Sequence, residues 1–181
     1  MLKNTETRYG IIAKGFHWFL FLMLGLMIVG GNIIEEMPRG AEKFEAMGVH
    51  KSLGVLVLIL IFLRLIWRFI NVTPKDQEGT PAIQSLVAHA THWALYVLMF
   101  AQPLVGILMS QSAGYAVNFF GLYELPTLLA KDPSLAEFFH EAHGMVWILL
   151  LLVVIVHAAG ALYHHFIVKD DTLWRMGFGR S

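Results

Sequence analysis

Four long apolar runs, at about residues 11–31, 49–70, 86–110 and 143–168, leave this chain few ways to fold. A hydrocarbon core of roughly 30 Å takes about 20 residues of helix to cross, and inside it each backbone N–H and C=O must be satisfied within the structure itself. Every run is long enough. The chain therefore reads as an all-α membrane protein, a four-helix transmembrane up-down bundle forming a single domain over residues 1–181. Charged residues make up only 14% of the sequence, against about 25% in ordinary soluble domains. The second run is the least uniform, because Arg64 and Arg68 occupy its last two turns; long cationic side chains near a helix end reach back to the interface. The first run carries His17 and Trp18 near its start and lacks a small-residue cleavage site, so it is expected to be retained.

Lysine and arginine orient the bundle. With the N-terminus inside, nine cations fall at inner ends (Lys3, Arg8, Lys14, Arg64, Arg68, Lys75, Lys169, Arg175 and Arg180) and four at outer ends (Arg39, Lys43, Lys51 and Lys131). Both termini are expected in the cytoplasm. The outer loops hold Glu35, Glu36, Glu42, Glu45, Glu124, Asp132, Glu137 and Glu141. The inner connection NVTPKDQEGTP (71–81) is plain breaker chemistry. The longer outer loop, 111–139, contains VNFFGLYELPTLL, which is expected to lie in the interface or fold over the bundle's outer end. Net charge near zero, with no basic patch, gives no reason to expect nucleic acid as a partner.

There is no cysteine, which excludes disulfides, thiolate-bound iron–sulfur clusters and covalent CxxCH haem attachment. Any metal cofactor must rest on histidine, methionine or carboxylate. Nine histidines are available, and their placement is not random. His143 and His157 bracket HGMVWILLLLVVIVH, fourteen positions apart. Fourteen residues of α-helix rise roughly 21 Å and return to within about 40° of the starting direction, so the two share one face at two depths. Each has a counterpart at similar depth on another helix: His50 near the outer surface, His17 near the inner.

Two imidazoles converging at one level from different helices can bind haem iron on both faces, and helix bundles build cofactor sites in this way. Two such pairs predict two haem b groups per chain, with His17 and His157 as axial ligands of one and His50 and His143 of the other. With both axial positions filled, the expected chemistry is single-electron transfer. A lone histidine on an apolar helix is more often a packed residue than a ligand; four matched in depth, where ionisable groups are costly, point to function. His140, one turn before His143, is the alternative outer ligand. His89 and His92 could bind a metal, touch propionates or line a quinone pocket; hydrogen-bonded interfacial histidines are the simpler reading. His164 is expected to meet a propionate or a headgroup, and His165 the interface. Arg64 and Arg68 are cofactor-binding candidates, since guanidinium pairs well with propionate carboxylates, with snorkelling as the plain alternative. Lys51 could neutralise an outer propionate or draw in an anion, or could simply be an exposed interfacial lysine. Gly54, Gly144 and Gly160 could make room for a macrocycle or for close helix packing. Pro103 should kink or break the third helix.

These residues also resemble a known family. HW at 17–18, HKSLG at 50–54, RLIWR at 64–68, HWALY at 92–96, P-L-V-G at 103–106, FFGLYELP at 119–126, the 143/157 pair, HAAGALYHHF (157–166) and DDTLWRM (171–176) look like successive signatures of the prokaryotic cytochrome b561 family. The resemblance implies a bacterial inner-membrane protein with two b haems, whose ligand positions fall on His17 with His157 and His50 with His143. HEAHG departs from the usual placement of glutamate directly after the ligand, which keeps His140 open as an alternative. Compact members resembling this chain take electrons from superoxide and reduce ubiquinone. Membrane lipid, a quinone and superoxide are thus the expected partners. No residue here identifies a catalytic group. The alternative is a haem-carrying subunit linking a separate dehydrogenase or reductase, its redox partner protein, to the quinone pool. A haem-free histidine-lined transporter is a third reading, disfavoured because the helices lack a dense acidic pathway.

Overall fold

The computed structural model describes residues 1–77 and 79–177; Arg180, counted among the inner cations, lies outside them. Four helices long and apolar enough to cross a membrane dominate it: α1 (Ile11–Glu36), α2 (Ala41–Phe69), α3 (Ala82–Ser112) and α4 (Pro133–Tyr163), the last continued by a π-helical turn, His164–Val168. A short helix, α5 (Thr172–Met176), follows.

Several ends differ from the apolar runs, for local reasons. α1 continues to Glu36 and stops where Met37, the residue before Pro38, takes extended backbone (ψ 140°), as a following proline requires. α4 begins ten residues before the apolar run: Asp132 caps it by accepting from the Ser134 and Leu135 N–H groups (2.8 and 3.2 Å), and Pro133 fills the first turn, where its missing donor costs nothing. α3 runs unbroken through Pro103, so the expected break is absent.

Close packing runs α1 on α2, α2 on α3 and α3 on α4; among the long helices, α4 lies closely along α3 alone. The four meet at one central layer, where Leu20, Met23, Val57, Ile61, Tyr96, Met99 and Leu150 form the main core. Leu150 is the one fully buried residue recorded on α4, at 2% exposure, and stands midway between His143 and His157. Elsewhere the helices turn Phe19, Leu22, Leu26, Phe62, Ile148, Leu152 and Ile155 outward, which in lipid costs nothing.

The two ends are tied differently. At the end bearing the termini, Asn4 donates to the Val72 carbonyl (2.7 Å), Lys75 pairs with Glu6 (2.7 Å), Arg175 donates to the Lys75 carbonyl (2.6 Å), and Trp18 and Lys14 donate to the carbonyls of Met176 and Gly177 (3.0 and 2.6 Å). At the other end, the loop after α3 forms a small hairpin, β1 (Asn118–Phe119) paired antiparallel with β2 (Tyr123–Glu124). Its turn uses left-handed backbone at Phe120 (φ 52°) and Gly121 (φ 72°). Of the two expectations for this loop, folding over the bundle's end is what occurs. Val117 is buried against Val55 and Ile107, the Ser52 hydroxyl accepts from Phe120 N–H (3.0 Å) and faces the Asn118 carbonyl (2.9 Å), and buried Gln111 holds the Pro126 carbonyl and the Leu128 N–H (2.8 Å each).

Candidate functional site

Two histidine levels flank the central layer. At the terminal end, His17 (α1) and His157 (α4) face each other with ring centroids 6.0 Å apart. Their helices do not pack along one another, so the imidazoles meet across a seam rather than inside a tight contact. His92 (α3) joins them, its ring 5.3 Å from that of His157. Arg64 (α2) reaches His17 Nδ1 (3.2 Å) and lies over the Tyr96 ring (5.8 Å), while Arg68 lies over Trp93 (5.6 Å) and Tyr96 (5.8 Å). Among the described residues neither arginine meets a carboxylate. Two half-buried cations without an anion are costly, and both point into one level. Just outside the spans, burial pushes the Tyr9 hydroxyl above its ordinary range, although Arg68 and Arg64 pull the other way.

At the opposite level stand His143 on α4 and His50 on α2. His143 is half-buried against α3: its Nε2 lies 3.1 Å from Gln102 Nε2, and Nδ1 is buried without a hydrogen-bond partner. Backbone makes room for both rings. A Cβ at Gly106 would stand 3.1 Å from His143 Cε1, and one at Gly31 would stand 3.4 Å from His50 Cε1. His140 is exposed. Lys51 is not a free interfacial cation; it donates to the Ala116 carbonyl (3.0 Å) and to Ser110 Oγ (3.3 Å), fastening the loop after α3.

The remaining expectations are redistributed. His89 turns away from His92 towards Ser85 (3.3 Å) and Asp76 (3.9 Å), so the two do not converge on one ion; among the described residues no group of three metal-ligating side chains forms. His164 is taken by Asp170 (2.5 Å) rather than left for a headgroup, and His165 stacks edge-on with Phe166 and Trp174. Burial pushes the Asp170 carboxyl up, but hydrogen bonds from Thr172 and His164 outweigh it and hold it below the usual carboxylate range. Gly144 and Gly160 face open space and Gly54 only Met27, whereas Gly31 and Gly106 are the glycines that lie against histidine rings. Sequence reasoning gave His92 a minor part and passed over Gln102; a polar amide four residues before a glycine, inside an apolar run, was the available signal.

Whether these residues suit a haem is a question of spacing and donors. A metal–imidazole bond runs about 2 Å and a ring nitrogen lies about 1.1 Å from its centroid, so two imidazoles on one metal have centroids about 6 Å apart. The His17–His157 separation of 6.0 Å meets that, while 5.3 Å for His92–His157 is short. Imidazole nitrogens at that spacing, beside arginines that meet no carboxylate among the described residues, are the donors and counter-charges a haem with carboxylate side chains needs. The residues fit.

Comparison with known proteins agrees. Residues 8–179 match the profile of the family described as "Prokaryotic cytochrome b561". Cytochrome b561 homolog 2 of Escherichia coli (strain K12) is 35% identical over 179 residues, covering 98% of this chain and 95% of that protein. Probable superoxide oxidase CybB of Yersinia pestis is 31% identical over 93% of this chain and 95% of its own length. Cytochrome b561 homolog 1 of E. coli (strain K12) is 30% identical over 88% and 91%.

Proposed function

This chain belongs to the prokaryotic cytochrome b561 family, helical membrane proteins that bind b-type haem and transfer electrons, and from that premise we propose a dihaem cytochrome that oxidises superoxide and reduces ubiquinone across the bacterial inner membrane. The observation carrying the two-haem part is the pair of histidine levels on α4, with His17 on α1 facing His157 at 6.0 Å. Bound at each level, haem would supply a one-electron carrier.

Each residue then has a task. His17 and His157 hold one group, His50 and His143 the other. Guanidinium has only donors, so beside Arg64 the His17 Nδ1 accepts and the ring's proton sits on Nε2. To hold a haem through Nε2, His17 would need that proton on Nδ1, where it would no longer accept from Arg64. Arg64 and Arg68 are then cations in need of anions, a need that propionates meet bidentately. The central layer around Leu150 keeps water from linking the two levels. Overall, two superoxide anions yield two molecules of oxygen, and the two electrons, with two protons from water, convert one quinone to quinol. The relative named as a probable superoxide oxidase supports the donor; the quinone rests on the family resemblance.

One observation favours a second reading, a membrane subunit taking electrons from a separate protein. The outer end carries eight carboxylates against four cations, and among the described residues none of the eight is in an ion pair. Such a rim suits a basic protein better than an anion. The deciding experiment is haem per polypeptide, expected at two, followed by quinone-analogue reduction under a superoxide source. Reduction that disappears when superoxide is scavenged supports the first reading; an unchanged rate rejects it, and co-purification of a basic redox protein supports the second.

A further inference from the structure

At the end away from the termini, two helix starts carry apolar side chains that lipid does not account for. The apolar runs begin near residues 49 and 143, but α2 starts at Ala41 and α4 at Pro133. Residues 41–48 and 133–142 therefore project beyond the hydrocarbon by about 12 and 15 Å. Within them Phe44 is 55% exposed and Phe138 62%, and Leu135, one turn before Phe138, is exposed as well. Each phenylalanine lies five residues outside its run, which is about 7.5 Å and reaches the far edge of a headgroup layer about 5–7 Å deep. Exposure that costs nothing in lipid is unfavourable there, and it recurs on two helices.

Both rings are set among carboxylates. Glu42 and Glu45 flank Phe44, and Glu137 and Glu141 flank Phe138; all four are exposed, and among the described residues none is in an ion pair. The one lysine or arginine in these two segments, Lys43, turns back to the carbonyls of Glu35 and Met37 (3.1 and 3.0 Å). Leu135, Phe138 and Glu141 follow at intervals of three and so share one face of α4. The Phe138 ring meets that of half-buried Phe139 edge-on, 5.3 Å between centroids, and Phe139 lies four residues before His143, on the same helix face. An apolar anchor within a charged rim is the anatomy of a docking surface. The rim also selects the occupant, because its single sign attracts a basic surface. A second copy of this chain would bring carboxylate against carboxylate, and anionic lipid would be repelled.

We propose that the projecting start of α4 docks a basic protein, with Phe138 as the anchor and Glu137 and Glu141 as the charges that orient it. The proposal gives the second reading its contact surface, and the partner's role as an electron carrier rests on that reading. A protein seated on Phe138 lies one ring contact from Phe139 and so beside the face of α4 that carries His143. The step it serves is the passage of one electron between the partner's metal centre and this chain, with no bond made or broken and no proton moved.

The test places the haem-loaded protein in nanodiscs of phosphatidylcholine, whose headgroups carry no net charge. The probe is a lysine-rich c-type cytochrome, used native and with its lysines succinylated so that its charge is reversed. The native probe is expected to bind, roughly tenfold more weakly at about 0.15 M salt than at about 0.01 M, and the succinylated probe not to bind. Neutralising the rim with Glu137→Gln and Glu141→Gln together should slow association about threefold and flatten the salt dependence. Phe138→Ala should weaken binding roughly tenfold and leave the salt dependence as it was. Carbodiimide should couple probe lysines to Glu137 or Glu141, read by mass spectrometry. Equal binding of the two probes, indifference to Phe138→Ala, or coupling confined to other carboxylates overturns the proposal. So does a dimer of this chain that Phe138→Ala dissociates, which assigns the face to a second copy, and so does equal uptake by empty nanodiscs, which assigns the binding to lipid. Electron exchange keeps the surface and the reading apart. A ferric probe that docks but leaves the dithionite-reduced protein unoxidised rejects the second reading and upholds the surface; exchange at an unchanged rate in Phe138→Ala upholds the reading and removes the surface.

Discussion

Replacing His157 by alanine separates the rival pairings at the terminal level, because that ring lies between two others. His17 is 6.0 Å from it and His92 5.3 Å, centroid to centroid. Two bonds of about 2 Å plus two centroid offsets of about 1.1 Å come to about 6 Å for imidazoles opposed on one metal. The His92 pair falls about 0.9 Å short of that span, so His92 would have to retreat to serve. The expected outcome is that His157→Ala and His17→Ala each lose the same haem, reducing haem per chain from two to one, while His92→Ala keeps both. Pyridine haemochrome counting gives the stoichiometry, and redox titration shows whether the missing component is the same. If His92→Ala and His157→Ala lose one haem together and His17→Ala keeps two, the pairing is wrong and the spacing argument with it.

Ser52 joins α2 to the hairpin through Phe120 N–H and the Asn118 carbonyl; Ser52→Ala should destabilise that cover by about 1–3 kcal/mol, seen as protease cleavage within 113–131 with the four long helices intact. Trp18→Phe removes the indole donor to the Met176 carbonyl, worth about 1 kcal/mol net, so backbone hydrogen exchange at 172–176 should quicken roughly fivefold. The eight carboxylates against four cations at the end away from the termini should repel superoxide, and screening shortens the reach of that field from about 30 Å at 0.01 M salt to about 8 Å at 0.15 M. Superoxide-driven reduction is therefore expected to quicken with added salt; a slowing would show that Lys51, not the rim, governs the approach.

The four spanning helices were legible because lipid demands one period and one composition over about 20 residues. Their ends were less so, since an apolar run marks where lipid begins rather than where hydrogen bonding starts. Asp132-Pro133-Ser134 is an open signal for a helix start, yet it precedes SLAEFFHEAH, too polar to count as a span. His50 and His143 could be matched in depth from sequence, as could His17 and His157, because rise per residue is constant. What depth could not supply was azimuth across helices. His92 faces His157 because α3 packs on α4, and Gly31 and Gly106, rather than the glycines beside the histidines in sequence, are the ones beneath the rings. Lys51 and His164 were misjudged for the same reason: their partners, Ala116 and Asp170, lie on segments whose course no periodicity encodes.

Because α4 carries a histidine for each level, its register matters more than that of any other helix. A slip of one residue turns both rings by about 100° and removes them from both levels at once. Packing holds α4 mainly from one side: its contact with α3 is the most extensive between helices, yet Leu150 is its one buried residue. The start of the helix is better defined: Asp132 N–H donates to the Ser112 carbonyl (2.8 Å), and its carboxylate accepts from Ser134 Oγ (2.7 Å) and from the Ser134 and Leu135 N–H groups. Those bonds, Ser134 Oγ first, hold the Asp132 carboxyl below its usual range. A depressed folded value means the cap's stabilisation is complete above the unfolded pKa of about 3.9 and is lost as pH falls through the folded one. Asp132→Ala should therefore loosen both levels together, whereas each axial histidine variant empties one. Haem release on mild heating separates the outcomes: equal loss of both components in Asp132→Ala supports a shared register, and loss confined to the component held by His143 would mean that the cap acts only on its own end of the helix.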